Sequence, residues 1–223
     1  MTSTAEGSFA QSLAGVRARI TAVGRDPNAI RIVAVTKGFG PEVVDMAAKA
    51  GLSDVGENYA QELLAKANRI AAEVRWHFLG TVQTNKVRKL APKVAAWHGG
   101  DRPAAADAIS LARPGAEVLV QVNVAGIRSK GGCPPEELEA IVEHCRRLPL
   151  DLSGLMTVGP QGDAVATRRC FRWLAGKAAE LGLRELSMGM SDDFEVAVEE
   201  GSTTLRLGRV LFGSRPERTV AQR

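Results

Sequence analysis

A lysine that ends an apolar strand, an arginine inside another, and a serine and glycine near the C-terminus are the residues here best suited to chemistry. In Arg31-Ile-Val-Ala-Val-Thr-Lys37 the side chains of a strand alternate faces, so Lys37 shares its face with Val33 and Val35. Of the eight lysines it alone ends an apolar strand pattern; the others fall in helical or loop segments, where a solvated ammonium is expected. An amine in an apolar, partly desolvated mouth has its pKa lowered and becomes a nucleophile toward carbonyl carbon, the requirement for Schiff-base chemistry. The plainer alternative is a strand-end lysine whose ammonium reaches water. In Thr204-Leu-Arg-Leu-Gly208, Leu205 and Leu207 suit a helix-covered side, which turns Arg206 and Gly208 the other way. Arginine is almost never buried unpaired. Arg206 therefore belongs to a site or is held by a structural ion pair with Glu57 or another acid of the rim. His77, Gln121 and Asn123 fall on the inward face by the same alternation. The segment Gly208-Arg-Val-Leu-Phe-Gly213 offers backbone N–H groups able to cradle a phosphate, with Arg209 adding charge. Ser191, followed by Asp192, Asp193 and Glu195, reads as a helix N-cap whose hydroxyl can also touch a ligand.

Residues this far apart in sequence meet only if their strands stand side by side. Short apolar runs at 32–37, 54–56, 76–80, 94–98, 118–123, 152–157, 186–189 and 203–208 alternate with helical spacing at 42–50, 60–72, 85–90, 104–111, 136–148, 164–181 and 192–199. A further helix over 9–23 precedes the first strand. Pro41 and Pro134-Pro135 stand where helices begin and a missing N–H is harmless. Eight strands, each followed by a helix or helical turn, predict an α/β fold: a single (β/α)8 TIM barrel with an additional N-terminal helix, one domain over residues 1–223. An open doubly wound sheet is the competing architecture, but no GxGxxG follows the first strand. Barrel chemistry gathers at the C-terminal ends of the strands, where Lys37, Asn123 and Gly208 fall. A plain core would place Val, Ile or Leu at these inward positions, so the rim reads as a site. The stretch from Gly126 to Gly132 reads as a surface loop over it and, lacking GK[ST], is no Walker loop.

Composition narrows the classes of function. The chain of 223 residues is 45% hydrophobic and 24% charged, which excludes a wholly disordered or collagen-like polypeptide. Its net charge of +4 is spread among acids, with no clustered basic face for nucleic acid. Cys133, Cys145 and Cys170 show no CxxC spacing and make neither a disulfide framework nor a zinc site. His77, His98 and His144 show no HExxH spacing, so no metal is expected. No apolar run of about 18 residues marks a membrane span, and the N-terminus lacks the pattern of a signal peptide. The expectation is a soluble, cytoplasmic protein.

A longer set of motifs then comes into view. Ala34-Val-Thr-Lys37, Gly56-Glu-Asn-Tyr-Ala-Gln-Glu62, Trp76-His-Phe-Leu-Gly80 with Gln83-Thr-Asn-Lys86, Gln121-Val-Asn123 with Ser129-Lys130, Gly154-Leu-Met156, Leu186-Ser-Met-Gly-Met-Ser-Asp-Asp193, Gly201-Ser-Thr203, Arg206-Leu-Gly208 and Phe212-Gly213 follow in order over nearly the whole chain. In these the sequence resembles the pyridoxal phosphate homeostasis proteins, also known as proline synthase co-transcribed homologues. The resemblance implies a barrel like the N-terminal domain of alanine racemase (fold type III), with pyridoxal 5′-phosphate (PLP) held as a covalent aldimine on Lys37. It also implies that Ser191, Gly208 and the amide of Arg209 bind the phosphate, that Arg206 lies against the pyridine nitrogen, and that Asn58 and His77 line the cavity. A cation at that nitrogen keeps the ring unprotonated and weakens it as an electron sink. The chain departs from the family at Arg209, where Thr or Ser is frequent, at Gly38-Phe-Gly-Pro41, where a Thr is usual, and at Trp97-His-Gly-Gly100.

The function implied is a PLP-binding protein of intracellular PLP homeostasis, which buffers and delivers the cofactor and so affects amino-acid and keto-acid balance. PLP-dependent apo-enzymes are its expected partners, nucleic acid and membrane are not, and no catalytic residue is assigned. A racemase is the second reading. Racemisation needs acid/base groups on both faces of the bound cofactor; in alanine racemase one comes from a second domain of the partner subunit, for which this chain has no room. The same absence favours a monomer. A lysine-dependent aldolase without cofactor is the third, and fold alone does not separate the three.

Overall fold

The alternating runs become a closed parallel barrel, with the strands in sequence order around it, in a computed structural model that describes residues 2–215. The order is α1 (Thr2–Ala22), β1 (Arg31–Val35), α2 (Glu42–Lys49), β2 (Asp54–Glu57), α3 (Ala60–Ala67), β3 (Arg75–Phe78), α4 (Thr84–Leu90), β4 (Val94–Trp97) and α5 (Pro103–Ala112). There follow β5 (Glu117–Gln121), α6 (Leu138–Arg146), β6 (Asp151–Met156), α7 (Ala164–Glu180), β7 (Glu185–Ser187), α8 (Phe194–Glu199), β8 (Thr204–Leu207) and α9 (Arg209–Phe212). The eight strands and the N-terminal helix are where the sequence predicts them. Boundaries differ at sites that matter below: β1 ends at Val35, so Lys37 sits in the turn beyond it, and α3 stops at Ala67 rather than 72.

α1 begins before residue 9, and its buried residues Phe9, Leu13, Val16 and Ile20 recur at helical spacing. That face packs on α9, α8 and α2, so the extra helix fills the ring beside the short α9. Phe9 stacks on Phe212 at 5.1 Å between ring centres, which braces the β8–α9 turn from behind.

Register sets what fills the barrel. Paired residues of parallel strands face the same way. Val33 pairs with Arg206, Val35 with Gly56, Gly56 with His77, His77 with Ala96, and Met156 with Ser187. Barrel interiors are usually layers of bulky branched residues. Here the inward positions flanking His77 in register are the small Gly56 and Ala96 instead. The N-terminal end of the barrel is closed by ion pairs: Arg31 with Glu117 and Glu185, and Arg75 with Asp54 and Glu117. The other end is open. There Gly80 permits the β2–α3 and β3–α4 loops to touch, since a Cβ at this position would stand 2.0 Å from the Asn58 carbonyl oxygen.

Candidate functional site

A cavity of about 630 Å³ opens at the C-terminal ends of the strands. Its charged lining residues are Lys37, Lys130, Arg206, Arg209 and Arg215 against one acid, Asp192. Such a wall attracts anions.

Lys37 leaves β1 through the turn at Thr36 and stands half-buried at this wall. No hydrogen bond or ion pair occupies its Nζ among the described residues. Burial holds its pKa below the ordinary lysine range, and the cations of Arg215, Arg206 and Lys130 press the same way, against Glu57. The strand end behind it is fixed from outside the barrel. Thr36 Oγ1 donates to Glu57 Oε1 at 2.8 Å, and Lys66 of α3 donates to the Thr36 carbonyl at 2.7 Å and forms a close ion pair with Glu57. Glu57 and Lys66 are both buried, and burial raises the Glu57 carboxyl above its usual range despite the ammonium. The expectation that every lysine but Lys37 is solvated therefore fails at Lys66, whose helical position shares the face of Leu63. Glu57 is taken by Lys66 and is no partner of Arg206.

Arg206 lies on the cavity floor, 5% exposed, and its pKa is pushed down to about 10 by burial. It donates to Ser187 Oγ at 2.7 Å and to the Thr157 carbonyl at 2.8 Å. Asn58, after β2, lines the cavity with its Oδ1 buried and without a partner. On the far side, Ser191 Oγ accepts from the Val210 N–H at 3.1 Å, tying the β7–α8 loop to the turn that carries Gly208 and Arg209. Ser191 is not the N-cap of α8; Asp193 holds that place and accepts from the Met190 N–H at 2.5 Å, so the helix begins two residues later than its acidic run suggests. Arg209 lines the cavity but pairs with Asp192 at the exposed lip.

Lys37, Asn58, Ser191, Arg206, Gly208 and Arg209 are thus brought to one cavity. His77 is not among its lining residues. It points into the barrel as its alternation requires, but beneath the floor, fully buried and bonded to Asp54 and His98. Gln121 lines the cavity, whereas Asn123 turns back to bond both to and from Ile127, closing the loop that presents Ser129 and Lys130. Sequence reasoning missed His98 and Ser187. The alternation that turns Ala96 inward turns His98 inward as well, and was the available signal.

Fold and cavity together define an anion-attracting (β/α)8 barrel with a half-buried lysine at its mouth. Residues 12–216 match the family described as alanine racemase, N-terminal domain. The pyridoxal phosphate homeostasis protein of Pseudomonas aeruginosa is 42% identical over 93% of this chain and 96% of its own length, and that of Aquifex aeolicus is 40% identical over 86% and 90%. The structure of PipY from Synechococcus elongatus with PLP bound superposes with a TM-score of 0.81, 32% identity, and coverage of 92% of this chain and 100% of that one. The chain belongs to the pyridoxal phosphate homeostasis protein family.

Proposed function

We propose that this chain binds PLP covalently through Lys37 and holds it for buffering and delivery to PLP-dependent apo-enzymes, as a monomer of the cytoplasm, without strong catalytic activity of its own. The observation that carries the reading is the half-buried, unpartnered Lys37 amine facing a cavity otherwise dominated by Arg and Lys. PLP supplies an aldehyde carbon open to amines and an electron-withdrawing ring.

The residues present fit such a ligand. Lys37, held below the ordinary lysine range, offers a free amine for the aldehyde. Ser191, Gly208 and the Arg209 amide form one side of the cavity, where a phosphate is best placed. The orphaned Asn58 Oδ1 calls for a donor from the ligand. Arg206 presents a fixed cation on the floor, which disfavours a second proton on a ring nitrogen beside it. For a carrier rather than a racemase speaks the choice of acid/base groups: among the described residues the lining contains no His, Tyr, Cys or Glu. Tyr59 is 61% exposed and points its ring at solvent, outside that lining.

Borohydride reduction of the PLP-loaded protein followed by peptide mapping tests the assignment. A stable adduct on Lys37, lost in Lys37→Ala, is expected. Full-occupancy adduct in the Lys37→Ala protein overturns it.

A further inference from the structure

Beneath the cavity runs a chain of side chains that none of the ligand contacts requires. Asp54 Oδ1 lies 2.7 Å from His77 Nε2, His77 Nδ1 lies 2.9 Å from His98 Nε2, His98 Nδ1 lies 2.9 Å from Ser187 Oγ, and Ser187 Oγ lies 2.7 Å from Arg206 Nη1. His77, His98 and Ser187 are at most 1% exposed, so neither imidazole reaches a ligand directly. The chain crosses the barrel from β2 and β3 to β7 and β8. It begins among the ion pairs of the closed end and finishes at the one arginine on the cavity floor.

Donor and acceptor capacity gives the chain a direction. A guanidinium only donates, so Ser187 Oγ accepts from Arg206. The hydroxyl hydrogen then goes to His98 Nδ1. His98 carries its proton on Nε2 and gives it to His77 Nδ1, and His77 gives its own Nε2 proton to the Asp54 carboxylate. Every donor has an acceptor with both rings neutral, and burial, the largest influence on His98, keeps that ring from charging. The opposite tautomers, with the protons on His77 Nδ1 and His98 Nδ1, would turn the His77–His98 and His98–Ser187 bonds around and leave the Ser187 hydrogen without its acceptor. Gly56 and Ala96 flank His77 in the strand register, where a plain barrel would pack aliphatic layers.

We propose that His77, His98 and Ser187 are positioning residues: a polar strut, anchored at Asp54, that holds the Arg206 guanidinium in the orientation it presents to the ligand. The proposal deepens the PLP reading and rests on it for the identity of the ligand, but the strut itself exists without one.

Two measurements separate the strut from the cofactor. In ligand-free protein labelled with 15N histidine, NMR should find His77 and His98 neutral and both protonated at Nε2; a neutral His98 protonated at Nδ1 overturns the proposed direction. In the same state, the Arg206 side-chain N–H signals should lose hydrogen-exchange protection in Ser187→Ala and keep it in Ser187→Thr. Equal protection in all three proteins overturns the strut. With PLP added, Ser187→Ala should bind about tenfold more weakly, the size expected for losing a hydrogen bond to a charged group, with a displaced visible band. Ser187→Thr should restore both. Unchanged affinity and band in a folded Ser187→Ala protein overturn the positioning role. Failure of the unsubstituted protein to bind PLP overturns the cofactor reading instead, while the ligand-free arms still decide the strut.

Discussion

Lys37 is an ordinary amine whose surroundings favour its neutral form. Burial penalises its ammonium, and Arg215, Arg206 and Lys130 disfavour another positive charge. A lowered lysine pKa means more free amine at a given pH, so capture of PLP should reach half its maximal rate below the pH at which a solvated lysine would. Arg215 is exposed and lies against the Lys37 turn, with its Cδ 3.0 Å from where a Cβ on Gly38 would stand. Arg215→Ala should therefore move that midpoint upward and slow capture at neutral pH, and the difference should shrink at high salt, which screens exposed charges first. Stopped-flow absorbance across pH reads this directly; a midpoint that stays put or falls at low salt contradicts it. Much of this site was legible from strand alternation alone. The inward placement of Lys37, His77, Gln121, Arg206 and Gly208 needs only a period of two. What alternation lacks is depth: it turns His77 inward but does not tell the barrel's middle from its mouth, and so it could not correct the cavity-wall place that the family resemblance implies for His77.

At the scale of elements, the same turn depends on how α3 docks. Lys66 reaches from α3 to the buried Glu57 carboxylate and to the Thr36 carbonyl, one residue before Lys37. Removing one member of a buried pair strands the other's charge. Lys66→Ala should cost about 3–5 kcal/mol of stability, read by urea unfolding, whereas replacing both partners, Lys66→Met with Glu57→Leu, should recover most of it. A Lys66→Ala protein within about 1 kcal/mol of the unsubstituted chain contradicts a buried charge at Glu57. The sequence marks Lys66 as sharing a helical face with Leu63, and Glu57 as sharing a strand face with Val55. It does not mark that the two faces meet, because that depends on the docking of the helix and not on either period. Ser191 was misread for a related reason. Its run of acids looks like a helix start, but the Asp193 side chain closes a turn on the Met190 N–H and delays the helix to Phe194.

The molecule as a whole is asymmetric along the barrel axis. Ion pairs among Arg31, Asp54, Arg75, Glu117 and Glu185 seal the end where the strands begin, and the Asp54–Arg206 strut fills the middle. The far end opens into the cavity, which gathers five cationic side chains although the chain as a whole carries a net charge of just +4. The apolar core between strands and helices is continuous, with Phe9, Trp97, Phe171 and Phe194 fully buried, and none of the cavity-lining residues belongs to it. The barrel should therefore unfold cooperatively without PLP, and PLP should add stability by mass action. One site saturated a hundredfold over its dissociation constant contributes about 2.7 kcal/mol. For a chain of this size each kcal/mol moves the midpoint by roughly 2–4 °C, so a rise of roughly 5–11 °C is expected by calorimetry. Lys37→Ala should keep a smaller rise, because the proposed phosphate side of the cavity, with Ser191, Gly208 and the basic wall, is left in place, and inorganic phosphate should give a small rise in both proteins. If PLP leaves the midpoint of the unsubstituted protein unmoved at saturation, the cavity is not its site. If the ligand-free chain has no cooperative transition, PLP is part of the core and the open end is not a place for reversible loading.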